Sequence, residues 1–175
     1  MRNRLTGLAA ACALLTAAEA QTIPAFPGAE GYGGWARGGR GGDVYTVTNL
    51  NNSGAGSLAE GIAGAPSAGR TIVFAVSGYI PIPSSGLRIT KSKITIAGQT
   101  APGDGVGLRN GSFRISGDDI VIRHLRFRHG KNGSGGDCIN LDSGSINTIL
   151  DHVSIQFSTD ENISSYNSPP ENVTM

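Results

Sequence analysis

Residues 94–127 read ITIAGQTAPGDGVGLRNGSFRISGDDIVIRHLRF. Within them the pair Ile94 and Ile96 returns as Ile120 and Ile122, 26 residues later, with turn-forming residues and no helical patterning between. Working outward, Ile72 lies 22 residues before Ile94, Ile149 lies 29 after Ile120, and Val173 lies 24 after Ile149. A loose period in the twenties points to a solenoid. In a parallel β-helix each coil supplies a few short strands and stacks on the coil below, so inward-facing Ile, Val and Leu form a continuous core. The expected inward rows contain Ile94, Ile96, Ile120, Ile122, Ile139, Ile149 and Val173. An antiparallel sandwich, with strands recurring every ~8–12 residues, fits some of the gaps, but the two-residue hairpin signals it needs are scarce.

Composition supports an all-β chain. The 175 residues include 27 Gly and 8 Pro, 15% are charged, and the net charge is +1. Against usual values of about 7% Gly and about 25% charged, this excludes a helical bundle, a coiled coil and a charge-driven disordered segment. The near-neutral balance offers no basic surface for nucleic acid, no apolar run is long enough to span a bilayer, and the length suits about one domain. From Gln21 onward, 16 Ile, 8 Val and 10 Thr stand against 7 Leu, a bias toward strands. Strands are predicted at Asp43–Thr48, Thr71–Val76, Lys93–Ala97, Asp119–Phe127, Asp137–Leu141, Asn147–Phe157 and Asn172–Met175. Ser57-Leu58-Ala59-Glu60 has capping-box spacing and predicts a short helix ended by Gly64 and Pro66, placed to cap the first coil.

Residues 1–20 carry Arg2 and Arg4, an apolar stretch from Leu5 to Ala18, and the A-x-A site Ala18-Glu19-Ala20, the pattern of a signal peptide removed on secretion. Residues 21–175 form the expected domain. It retains one cysteine, Cys138, so no internal disulfide is available to hold it.

Four phrases resemble a known family: AFPGAEGYGGWARGGRGGDVYTVTNLNNSGAGSL (Ala25–Leu58), TIVFAVSG (Thr71–Gly78), ITIAGQTAPGDGVGL (Ile94–Leu108) and LDHVSIQFSTDE (Leu150–Glu161). In this order they are similar to the amino-terminal part of secreted pectate lyases of the right-handed parallel β-helix class. The resemblance implies polygalacturonate as substrate, calcium-assisted β-elimination as reaction, and an extracellular monomer with no nucleic acid or membrane partner after signal cleavage. Such elimination begins with removal of the proton next to the uronate carboxylate, and Ca²⁺, a hard ion with oxygen ligands, stabilises the charge that develops.

Asp137 in GGDCINL resembles the family's calcium aspartate, and Asp160 in STDENIS stands where the next coil supplies a second carboxylate, with Glu161 beside it. The chain has Gly135 and Ser164 where the family often has further aspartates. The family's proton-abstracting arginine belongs to a later coil, so the resemblance places it beyond Met175 and leads us to expect a carboxyl-terminally truncated domain with little turnover of its own.

The segment IVIRHLRFRHG alternates His124 and His129 with Arg123, Arg126 and Arg128, which suggests a polar outer row where Arg126 and Arg128 could receive an anionic polymer. Asp151-His152 matches a family pair. Since neighbours on a strand face opposite ways, a structural hydrogen-bonding role is expected for it. Asp118-Asp119 permits a rival reading as the acid and base of a β-helix polygalacturonase, and a non-catalytic pectin-binding β-helix is a third. Asn-x-Ser/Thr sequons include those at Asn110, Asn132, Asn162 and Asn172.

Overall fold

The computed structural model describes residues 23–83, 85–130, 136–165 and 169–175. The proposed signal peptide, residues 1–20, and the Gly135 and Asn132 positions lie outside them.

The chain runs through β1 (Asp43–Val47), α1 (Leu58–Ala63), β2 (Arg70–Phe74), β3 (Gly78–Pro81), β4 (Leu87–Ile89), β5 (Ile94–Ala97), β6 (Val106–Arg109), β7 (Phe113–Ile115), β8 (Asp118–Arg123), β9 (Arg126–Arg128), β10 (Ile139–Leu141), β11 (Ile146–Asp151), β12 (Ser154–Gln156), β13 (Ile163–Ser165) and β14 (Glu171–Thr174). These form three parallel sheets of successive coils: β1-β2-β5-β8-β11-β14, β3-β6-β9-β12 and β4-β7-β10-β13. The architecture is a parallel β-solenoid. Ser57 caps α1 by accepting a hydrogen bond from the Glu60 amide at 3.2 Å, and buried Leu58 and Ile62 face the first coil. The Ser57 amide itself bonds the Gly54 carbonyl, so the reciprocal half of the capping box is not used.

Register fixes the core rows. Ile72, Ile96, Ile122 and Leu150 stack on one another in the first sheet, all at most 3% exposed. Beside them Ile94 stacks on Ile120, Ile120 on Thr148 and Thr148 on Val173. The true steps therefore differ from the expected spacing. Ile72 pairs with Ile96 and not Ile94, and the partner of Ile120 is Thr148 and not Ile149. Ile149 faces the opposite side, in a second apolar cluster with Val121 and Ala36. One residue of slip turns a strand over, and here both faces of β11 are apolar because the outside of the sheet is also covered.

The cover is the glycine-rich segment before β1. Between Gly31 and Gly42 it crosses the strands of the first sheet from β14 back to β1, with Gly33 against Thr148 and Gly39 against Arg70 and Thr71. Backbone amides of this strap donate to outward side chains of successive strands: Gly33 to Thr174 Oγ1 at 3.0 Å, Arg37 to Asp119 Oδ1 at 2.9 Å, Gly39 to Thr95 Oγ1 at 2.9 Å. A Cβ on Gly33 would lie 2.1 Å from the Thr148 carbonyl oxygen, so only glycine permits this approach.

The long runs predicted at Asp119–Phe127 and Asn147–Phe157 are each two strands. His124 (φ 54°) and His152 (φ 52°) adopt the left-handed conformation and turn the coil from the first sheet into the second. No helix among the described residues is long and apolar enough to cross a membrane.

Candidate functional site

The outward row of the third sheet runs Arg88, Arg114, Asn140, Ser164, the first three each flanked by core residues on both sides. At its end the coils carrying Asp137 and Glu161 meet through two backbone hydrogen bonds, from the Cys138 amide to the Glu161 carbonyl at 3.0 Å and from Ile139 to Asn162 at 3.1 Å. Asp137, Asp160 and Glu161 thereby come together, with one oxygen of each carboxylate within 4.8 Å of the others. They line a pocket of about 490 Å³ shared with Arg114, Asn140 and Ser164.

Asp137 is the fixed member. Its Oδ1 accepts from the Glu161 amide at 3.2 Å, and its Oδ2 accepts from the Ser164 hydroxyl. Burial pushes its carboxyl pKa up, but the hydrogen bonds from Ser164 and Glu161 outweigh this and hold it below the usual range. Glu161 moves the other way: its hydrogen bond to Asp137, reinforced by the negative charge of Asp160, raises its pKa. The opposite shifts are those of two carboxyl groups in contact, where a like charge disfavours ionising both. Arg114 is held by Asp142 through two hydrogen bonds of 3.0 and 2.9 Å, and Asp142 also binds Arg88 at 2.9 Å. The Asp142 bonds raise the Arg114 pKa, so the guanidinium is a permanent positive charge beside the acidic group.

The sequence singled out Asp137, Asp160 and Glu161, and the structure brings all three together. It did not single out Arg114 or give Ser164 a function. The signal for both was present: LRI, FRI, INL and ISS occupy equivalent strand positions, and their middle residues form the row that ends at the pocket.

Arg126 and Arg128 lie on the second sheet, away from the row that carries Arg114. Arg126 bonds the Gly105 carbonyl at 3.2 Å and lies over the Tyr79 ring at 5.2 Å. Arg128 bonds the carbonyls of Phe127 and Ser154 and the Ser154 hydroxyl, each at 2.9 Å, and lines a second pocket of about 330 Å³ with Tyr79, Arg109 and Phe157. His129 does not join an outer row. It falls in phase with Leu125 and Phe127, faces inward, and is fully buried, with neither ring nitrogen hydrogen-bonded among the described residues. Cys138 is also buried, and burial raises its thiol pKa to about 11.

Asp118 and Asp119 serve separate structural ends. Asp118 accepts from the Asn147 amide group at 3.2 Å, and Asp119 anchors the strap at Arg37. Asp151 and His152 do meet, because the left-handed turn at His152 breaks strand alternation: His152 Nδ1 lies 2.9 Å from Asp151 Oδ1, while Arg123 Nε binds Oδ2 at 2.6 Å.

Proteins of known name match this stretch. The chain is 46% identical over 153 residues to a probable pectate lyase C of Emericella nidulans, covering 86% of this chain and 35% of that protein. The chain is a homologue of pectate lyases over most of its length. A probable pectate lyase C of Aspergillus flavus is 46% identical over 156 residues (87% of this chain, 35% of that protein), and one of Aspergillus terreus is 48% identical over 143 (80% and 32%). The chain therefore spans about a third of the length of the pectate lyases it matches. No protein-family model matches it.

Proposed function

We propose that the protein is a secreted polysaccharide lyase that cleaves polygalacturonate by β-elimination, and that this part of it holds calcium. The observation that carries the reading is the convergence of Asp137, Asp160 and Glu161 beside Arg114 in a stretch homologous to pectate lyases. The donors suit the ion: all three are carboxylates, and one oxygen of each lies within 4.8 Å of the others. Calcium held by these carboxylates would supply a positive charge to a uronate carboxylate and so favour loss of the neighbouring proton.

The remaining parts are the chain's own. Ser164 and the Glu161 amide orient the Asp137 carboxylate, and Arg114, clamped by Asp142, offers a second cation to a uronate group without leaving its place. Arg114 does not serve as the base, because its two hydrogen bonds to Asp142 raise its pKa and hold this guanidinium in the protonated form. Arg126 and Arg128 contact carboxylates along the polymer; for Arg128 support comes from the cation and aromatic lining of the pocket it shares with Arg109, Tyr79 and Phe157, and for Arg126 from its place over the same Tyr79 ring. Export with loss of residues 1–20 belongs to the same reading, and intact mass of secreted material checks it: retention of Met1 contradicts it.

Calorimetric titration with CaCl₂ tests the cation site. Asp137→Asn removes a charged ligand and is expected to weaken binding about tenfold or more, a loss of about 1.4 kcal/mol or more. An unchanged affinity would place the calcium elsewhere.

A further inference from the structure

We propose that His124 and His152 form a second metal site, for a borderline divalent ion such as Zn²⁺, Ni²⁺ or Cu²⁺, with Asp151 orienting the His152 ring. The reading stands on the geometry of the first sheet and is independent of the lyase assignment.

The two histidines occupy equivalent corners of neighbouring coils. Arg123 is in register with Asp151, and the residue after each has the left-handed conformation that ends its strand, φ 54° at His124 and 52° at His152. The His124 amide bonds the Asp151 carbonyl at 3.0 Å, tying the corners together. Both rings therefore leave the solenoid in the same direction and stack, with centroids 4.7 Å apart and planes inclined by 24°. A donor atom from each of His124, His152 and Asp151 lies within 4.8 Å of the others.

Asp151 decides which nitrogen is offered. Its Oδ1 lies 2.9 Å from His152 Nδ1 and occupies that side of the ring, which leaves Nε2 as the nitrogen open to an ion. Its Oδ2 is fixed by Arg123 at 2.6 Å, and the Arg123 guanidinium packs 3.7 Å from the centre of the Phe26 ring. A carboxylate gripping the far nitrogen of a ligating imidazole is the usual outer support of a metal-bound histidine. An ion with metal–nitrogen bonds of about 2.0–2.1 Å requires the two rings to tilt toward each other. The His152 side chain is 66% exposed and has room to do so. Imidazole donors suit zinc, nickel and copper, whereas calcium favours all-oxygen sites such as the Asp137 group. The chain would then carry two cation sites separated by donor type, the second bridging the coils of β8 and β11.

The test uses the purified chain, free of any polyhistidine tag and stripped with chelator. Titration with ZnCl₂ is expected to show binding at one ion per chain and a rise in unfolding temperature. His124→Asn and His152→Asn, which keep a residue tolerant of positive φ, are each expected to weaken zinc binding at least tenfold, whereas Asp137→Asn leaves it unchanged. One equivalent of Cu²⁺ is expected to show coupling to two imidazole nitrogens by electron paramagnetic resonance. Absence of zinc binding, affinities in both histidine variants equal to the parent, or a copper spectrum with oxygen ligands alone would overturn the proposal.

Discussion

Gly39→Ala separates packing from backbone propensity, because the two give opposite signs. Gly39 is not in the left-handed region, and at such a position Gly→Ala ordinarily stabilises by about 0.4–1 kcal/mol through the unfolded chain. In the folded chain, however, the new Cβ would lie 2.1 Å from the Arg70 carbonyl oxygen, 2.2 Å from its carbon and 2.6 Å from the Thr71 amide. All three atoms are backbone within a parallel sheet and cannot swing away, so the strap must lift. A local shift loses the 2.9 Å bond to Thr95, worth about 1 kcal/mol, and adds overpacking strain of about 1–3 kcal/mol. Full detachment uncovers Val121 and Ile149, now 2% and 3% exposed, at about 1.5–3 kcal/mol each. The expected destabilisation is therefore about 2–6 kcal/mol, a large share of the ~5–15 kcal/mol of an ordinary domain. Urea unfolding of parent and variant measures it, and hydrogen exchange at Val121 separates local lifting from global loss. A variant as stable as the parent, or more so, would refute the close approach of strap and sheet.

Arg128→Gln should raise KM for polygalacturonate severalfold and leave kcat nearly unchanged if Arg128 only contacts the polymer; a fall in kcat alone would remove it from that role. Acid should destabilise the fold in a defined direction. The hydrogen bond from Arg70, at 2.7 Å across β1 and β2, holds the Asp43 carboxyl below its ordinary 3.8. Its contribution is complete above that value and is lost as pH falls through the lower folded-state pKa. Unfolding midpoints of Asp43→Asn and the parent should therefore converge in acid, and a constant gap from pH 6 to pH 2 would contradict this.

The solenoid was legible because its core rows are written in Ile and Val at a coil-length spacing, and Ile94, Ile96, Ile120, Ile122 and Ile139 all face inward as that spacing implies. The row failed at Thr148, where a buried polar residue stands in the core position and the neighbouring Ile149 offers a false match on the covered outer face. Spacing alone cannot see a strap that makes the outside of a sheet apolar. Strands of three or four residues such as β4, β7 and β13 are too short for a periodic signal, and with them went the row that brings Arg114 and Ser164 to the pocket. The acidic residues themselves were found through the resemblance, not through spacing. The meeting of His124 with His152 depended on two left-handed turns that no alternation rule anticipates.

The most direct measurement is the product formed when the full-length protein is given polygalacturonate and calcium. An ultraviolet-absorbing unsaturated end group is expected, its formation stopped by chelation and strongly reduced by Asp137→Asn. New reducing ends without that absorbance, or elimination that proceeds equally well in chelator and in the variant, would contradict the assignment of a calcium-assisted lyase to these carboxylates.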